Sequence, residues 1–220
     1  MEPRENQRKR LPRDERERLI LDEAVKFFAE VGFEGQTRAL AERLGVTQPL
    51  LYRYFPDKES LIERVFDEVY MKRWKPEWHS LLADRSRPFG TRLKEFYGDF
   101  CREIFRPEWV RIFMYAGLKG EHINQRYLES IEGNLLQPLC RELRHSHGLP
   151  SPEDHPLEER ELTMAWALHG SIFHVAMRKW IYRLPVPDDL EEVVNFTLDT
   201  FLHGCGQSLR TLFPEIKAAE

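Results

Sequence analysis

Cysteine is scarce in this 220-residue chain. Cys101, Cys140 and Cys205 are odd in number and widely spaced. That excludes a disulfide framework and leads us to expect reduced thiols in a cytoplasmic protein. No run of about 18 apolar residues occurs, so no membrane-spanning helix is expected. The opening MEPRENQRKRLPRDERER is charged and lacks an apolar core segment, so a secretory signal is not expected either. HExxH, GxSxG, a P-loop and a strand-linked GxGxxG are all missing. Gly204-Cys205-Gly206 lies within a helical stripe and cannot be a nucleotide loop. Cys140, His145, His147 and His155 assemble into a zinc set only on paper, because His145-x-His147 is their one tight pair. No metal, cofactor or catalytic residue is expected. Period-two alternation and fixed-period repeats are absent too, which leaves no sheet.

Neither sign of charge dominates: the formal net charge is −4 with 32% charged residues. The distribution is uneven. Arg4, Arg8, Lys9, Arg10 and Arg13 outweigh Glu2 and Glu5, and Arg38, Arg43, Arg53 and Lys58 outweigh Glu42 and Asp57. Residues 65–220 carry the net excess of acid. A locally basic face is what meets phosphates, so an acidic total does not exclude a nucleic-acid partner. The basic N-terminal tail is a candidate arm along a groove.

The most informative stretch is TRALAERLGVTQPLLYRYFPDKESL, Thr37 to Leu61. It reads as two short helices joined by a tight turn, with a third following at once. Arg38 to Leu44 forms the first. Gly45 stands where a left-handed residue is wanted, Thr47 is a candidate N-cap, and Pro49 falls in the first turn of the second helix. Pro56 and Asp57 end that helix after Phe55. Leu40, Ala41 and Leu44 make one apolar stripe, and Val46, Leu51 and Phe55 the facing one. Gln48, Leu50, Tyr52, Arg53 and Tyr54 are left outward, a poor solvent face and a good reader of DNA grooves.

The run Thr37-x-x-Leu40-Ala41-x-x-Leu44-Gly45-Val46, then Leu51-Tyr52-x-Tyr54-Phe55-x-x-Lys58-x-x-Leu61, resembles the helix-turn-helix signature of the TetR family of transcriptional regulators. The likeness covers the first third of the chain; beyond Trp74 it lies in helical layout and length. It implies an all-α protein, with an N-terminal three-helix DNA-binding domain over 1–60 and a helical effector-binding and dimerisation domain over 61–220. By motif alignment, Arg38, Gln48, Pro49, Leu50 and Arg53 fall at the family's groove-facing positions. Thr37, Tyr52, Tyr54 and Lys58 fall at its phosphate contacts. The implied partners are double-stranded operator DNA, a second copy of the chain and a small-molecule effector.

Helical spacing recurs through the remainder. Leu19, Ile20, Ala24, Phe27, Phe28 and Val31 define a helix over Glu15–Val31, with Gly32 as its stop. Asp57 opens a helix to about Trp74. Further helices are expected over 89–105, 108–118, 123–145, 157–183 and 188–213. Most prolines fall between them; Pro138 falls inside 123–145 and predicts a kink or break. Ser146 to Pro156 is the candidate mobile loop.

The last two helices carry wide apolar stripes, including Ala165, Ile172 and Ala176, and Val194, Phe201 and Cys205. These are the expected dimer contacts, although such stripes also suit the protein's own core. Trp74, Trp78, Phe96, Phe100, Phe113 and Tyr115, with His169, are candidates for the wall of an apolar or aromatic effector site. His122, Asn124, Gln125 and His174 are further polar candidates. Each aromatic equally suits an ordinary core. The helix beginning at Lys58 and ending beside Trp74 is the expected lever between effector and DNA. The reading is therefore a ligand-responsive homodimeric repressor. Its alternatives are a small-molecule binding protein that no longer binds DNA, and an enzyme of the helical pocket, for which no nucleophile–base pair is visible.

Overall fold

A computed structural model describes residues 12–119 and 122–212. Eleven α-helices, a 3₁₀ turn and a π turn are formed among the described residues, and no strand. The proposed arm lies outside them, apart from Arg13.

Helix α1 (Arg13–Val31) buries Ile20, Leu21, Ala24, Phe27 and Phe28 along one face. It ends at Gly32, which has φ 74°, and whose N–H donates to the Phe28 carbonyl at 2.9 Å. A side chain there would also meet the Tyr115 ring at 3.0 Å, so both backbone and space call for glycine. Helix α2 (Thr37–Leu44) stops at Gly45, left-handed at φ 63°, ψ 34°. Helix α3 (Gln48–Tyr52) is one residue over a turn, shorter than expected, and continues through turns to Pro56. Thr47 occupies its N-cap position in extended geometry, but its side chain makes no capping bond. Asp57 does cap α4 (Lys58–Val69), accepting from the Ser60 N–H at 2.6 Å. Leu40, Leu51, Phe55 and Leu61 are fully buried against α1 and one another. Such burial is worth about 1.5–3 kcal/mol per large side chain.

The expected helix from Asp57 to Trp74 divides. After Val69 the chain tightens into a 3₁₀ turn, Met71–Arg73. Helix α5 (Glu77–Ala83), absent from the sequence reading, then buries Trp78 and Leu82. Helices α6 (Phe89–Ile104) and α7 (Pro107–Lys119) follow as expected. The break at Pro138 takes a specific form. Helix α8 (His122–Ile131) enters a π turn, Glu132–Leu136, in which the Gln137 N–H reaches back to the Glu132 carbonyl, and α9 (Gln137–Ser146) begins with Pro138 in its first turn. The wider turn absorbs the amide that proline lacks.

Helices α10 (Glu159–Trp180) and α11 (Leu190–Leu212) complete the chain. Helix α11 packs on α6, and α10 packs on α7, α9 and α11. The segment expected to be mobile is pinned. Arg144, on α9, donates to the carbonyls of Pro150, His155 and Pro156, and to both oxygens of Glu161 at 2.7 and 2.5 Å. Arg144 and Glu161 are 1% and 0% exposed. Glu161 also accepts from the Glu158 N–H in a reciprocal capping arrangement that starts α10. A second buried carboxylate, Glu142, receives Arg85 and Arg92 and ties α9 to α6 and to the end of α5.

Candidate nucleic-acid interface

The helix-turn-helix surface is organised by three side chains. The Gln48 amide nitrogen donates to the Thr37 hydroxyl at 2.9 Å and reaches the Tyr52 hydroxyl at 3.4 Å. The Thr37 and Tyr52 hydroxyls are 2.8 Å apart. Thr37 is only 5% exposed, so this network stands on the domain's core. It engages the Gln48 amide nitrogen and not its carbonyl oxygen. An acceptor matches the exocyclic amino groups of adenine N6 or cytosine N4. The amide nitrogen carries two N–H donors, so bidentate pairing of Gln48 with adenine would compete with its longer contact to Tyr52 and can keep the Thr37 bond.

Arg38 and Arg53 are exposed on α2 and just after α3. Arg38 pairs with Glu42 at 3.3 Å, but both side chains are mostly in water, so the pair exchanges readily. Arg53 has no ion pair among the described residues. Pro49 is exposed and Leu50 half-buried. Tyr52 and Tyr54 lay their rings partly on the core, and Lys58 is half-buried at the start of α4. The nine expected DNA-facing residues lie on α2, on α3 and the turn after it, and at the start of α4, with Thr37 the least accessible. Arg43, counted among the local positive charge, plays another part. It pairs with Glu23 and Glu30 at 3.2 and 2.8 Å and lies over the Phe27 ring. Its hydrogen bond holds the Glu30 carboxyl below the usual range.

Sequence reasoning missed how this domain joins the rest. Helix α1 has no basic residue in its last turn. Its carbonyls are instead met by α7: Arg111 donates to the Ala29 oxygen at 2.5 Å and the Glu30 oxygen at 3.3 Å. The Tyr115 hydroxyl also donates to Glu30, at 3.3 Å. A guanidinium from the other half of the chain thus caps a helix C-terminus. Spacing along one strand of sequence cannot reveal a partner 82 positions away.

The effector candidates divide. Tyr115 belongs to this α1–α7 joint and not with the other aromatics. Trp78, Phe96 and Phe100 are buried and pack on one another, with Trp74 edge-on to Trp78. The Trp78 indole donates to Asp99 at 2.8 Å, beside Lys75. His169 is buried against Tyr97 and Phe100, and burial lowers its pKa to about 4, so the ring is neutral. Phe113 is in a second cluster, stacked on Trp109 and edge-on to Tyr127 and Phe173. Between the clusters lies a void of about 20 Å³ lined by Tyr70, Met71, Trp74, Phe100, Ile104, Tyr127 and Ser130. That is room for about one water molecule. Tyr127 lines this void, and its hydroxyl is buried without a hydrogen-bond partner. His174 is exposed, Gln125 bonds Glu129, and Asn124 donates to the Phe113 carbonyl. The His122 side chain lies outside the described residues.

The dimer candidates need correction. Ala165, Ile172, Ala176, Val194 and Cys205 are buried in the protein's own core, and Phe201 is half-buried against it. They face inward because the stripe is wide enough to serve α6, α7 and α9. Other positions face out: Thr163, Ala167, Gly170, Ser171 and His174 on α10, and Phe196, Thr200, His203, Gly204 and Gln207 on α11. Both sets repeat with the same helical spacing, and Phe196 is 74% exposed. The three thiols are free and buried; burial pushes Cys101 and Cys140 up to about 12, which makes them poor nucleophiles. No helix among the described residues is long and apolar enough to cross a membrane.

Comparison with known proteins agrees with this geometry. The profile of the bacterial regulatory proteins of the tetR family matches residues 20–65, from α1 through most of α4. The tetracycline repressor class A from transposon 1721 of Escherichia coli is 35% identical over 82 residues, 34% of this chain and 38% of that protein. The class C repressor of Escherichia coli is 33% identical over 82 residues, 34% and 37% of the respective chains. The match therefore spans less than two fifths of the length of these relatives. Over the whole molecule the likeness is one of fold. A TetR-family regulator from Streptomyces coelicolor superposes with a TM-score of 0.61 at 18% identity, covering 96% of this chain and 91% of that one. A putative TetR-family regulator from Mesorhizobium loti gives 0.55 at 14% identity, covering 88% and 98%. The helix-turn-helix segment is thus similar in sequence to that of the TetR family of transcriptional regulators, and the all-α fold is that of TetR-family regulators along nearly the full length.

Proposed function

We propose that the protein is a cytoplasmic, homodimeric repressor that binds double-stranded operator DNA and responds to a small apolar or aromatic effector. One observation carries the DNA reading: Gln48 is held in place by Thr37 and Tyr52, with Arg38 and Arg53 exposed beside it. Arg38, Gln48, Pro49, Leu50 and Arg53 read base edges in the major groove, whereas Thr37, Tyr52, Tyr54 and Lys58 set register on phosphates. Fluorescence anisotropy with the DNA upstream of the protein's own gene tests this. Lys58→Ala should weaken all sequences alike and lower the salt dependence by about one phosphate contact. Absence of salt-sensitive binding to any such DNA would favour the alternative, a small-molecule binding protein that no longer binds DNA.

One helix-turn-helix reads a half-site, and a twofold dimer reads two. The outward stripes of α10 and α11 support dimerisation, because small residues allow close approach and exposed Phe196 has an apolar surface to bury. Phe196→Glu should yield a folded monomer by light scattering, with operator affinity reduced. A strictly monomeric wild type at micromolar concentration overturns this element.

The effector site in this reading is the void between the two aromatic clusters, opened by ligand. The unpartnered Tyr127 hydroxyl is the natural orienting group, so the ligand presents a hydrogen-bonding atom there. Coupling runs through α4 and the α1–α7 joint, across the division near residue 60. Effector binding should lower operator affinity, with typical coupling of about 1–3 kcal/mol, and operator should lower effector affinity by the same factor. Tryptophan fluorescence from Trp74 reports occupancy.

A further inference from the structure

A second cavity lies apart from the aromatic void. It is a cleft of about 350 Å³ between α1, the end of α4 with its 3₁₀ turn, and the start of α7. This volume is within the range of small-ligand sites, about 300–1,000 Å³. Val25, Val69 and Trp109 provide apolar wall. Arg73 and Arg106 also line it, and neither makes an ion pair or side-chain hydrogen bond among the described residues. The Nε of Arg73 and the indole Nε1 of Trp109 are both buried with no acceptor. Two buried donors in one cleft, both unsatisfied, are an unusual debt in a folded protein. Trp109 is otherwise fully packed, stacked on Phe113 and against Tyr70, so its N–H cannot turn to another partner.

Acids share the cleft. Glu68 is already tied to Lys72 at 2.7 Å, Glu108 lies in the first turn of α7 where the helix dipole favours it, and Asp22 is exposed on α1. Lys26 is loosely paired with Glu23 at 3.8 Å. Among the described residues none of these acids bonds Arg73, Arg106 or the Trp109 N–H, and the buried unsatisfied groups of the lining are both N–H donors.

We propose that this cleft is a second ligand site, separate from the aromatic void, for a small organic carboxylate with an apolar body. The carboxylate accepts from Arg73 and Trp109 and is approached by Arg106, and the apolar body lies on Val25, Val69 and the Trp109 ring. A carboxylate supplies the two acceptors that a planar guanidinium and a neighbouring N–H require. The site joins α1, the first helix of the DNA-binding domain, to α7, so occupancy bridges the same two helices that Arg111 ties together.

Benzoate is the probe, with benzyl alcohol as its uncharged counterpart, titrated by calorimetry into the full chain. The expected result is saturable benzoate binding with a Kd of about 1 mM or tighter, and none by benzyl alcohol. Arg73→Gln and Arg106→Gln should each weaken benzoate by about tenfold or more, and Trp109→Phe by less. Melting curves check each variant's fold; Arg106 is exposed, so Arg106→Gln remains decisive should Arg73→Gln fail to fold. No saturable benzoate binding, or benzoate binding unchanged in a folded Arg106→Gln or Arg73→Gln, overturns the proposal. Equal binding of benzyl alcohol overturns it too, since that places the probe in an apolar void.

Discussion

The two halves of this molecule use polar side chains in opposite ways. In the helix-turn-helix, half-buried Gln48 and Tyr52 bond the buried Thr37 and leave Arg38 and Arg53 in water. In the larger half, Arg144, Glu161 and Glu142 are buried and fully engaged, and they bind helices and a loop together. A polar group in water is free to exchange its partner for a DNA base. A polar group in the core holds the fold and is costly to disturb. The difference predicts that substitutions in the first set change DNA affinity with little effect on stability, and that substitutions in the second do the reverse.

The largest expected effect is at the buried pair. Glu161→Ala leaves the Arg144 guanidinium buried without its carboxylate and should cost about 3–5 kcal/mol of stability by urea denaturation. If the folded variant lost operator affinity while its denaturation midpoint stayed put, the contrast between the halves would collapse. Next is the exposed Arg53, proposed above to read a base edge. Arg53→Ala should lose about 1–3 kcal/mol of operator affinity, relax preference at the contacted base pair and leave the melting temperature unchanged. A uniform loss across all sequences would make Arg53 a phosphate contact.

His169 gives a pH test of the core. Its folded pKa is about 4 against an ordinary 6.5, owing to burial against Tyr97, Phe100 and Trp166. Between these values the unfolded chain binds the extra proton, so stability rises with pH and is lost on acidification. The His169 share of the loss between about pH 7 and pH 5 should be about 2 kcal/mol. His169→Phe should flatten that part of the profile; an identical pH dependence would mean that the ring is not buried neutral. The smallest effect belongs to the network of Thr37, Gln48 and Tyr52. Tyr52→Phe removes one hydroxyl and should cost about 0.5–1.5 kcal/mol of stability, while loosening sequence preference at the base pair read by Gln48. Unchanged preference would show that Gln48 needs no support from below.

Legibility followed the range of the interaction. Gly45 at its left-handed turn, Asp57 as the α4 cap and the core stripe of Leu40, Leu51 and Phe55 are decided within a few residues of chain, and each could be read directly. Pro138 announced a break, but the π turn that absorbs it depends on the helices around it. Helix α5 was missed because seven residues between prolines and charges make too short a period to recognise. The loop after Ser146 looked mobile because its composition is that of loops. Its anchor, Arg144, acts through carbonyls that no pattern marks.

By itself the sequence determined most of the helices and the helix-turn-helix, because helical periodicity, caps and turn residues act locally. Tertiary structure alone decided which face of α10 and α11 is inward, that the aromatic region closes to a void of about 20 Å³, and that Arg111 caps α1 from across the chain. Burial and cavity volume are properties of how distant segments fill the same space, and one apolar stripe suits a core, an interface or a pocket wall equally well until its neighbours are in place.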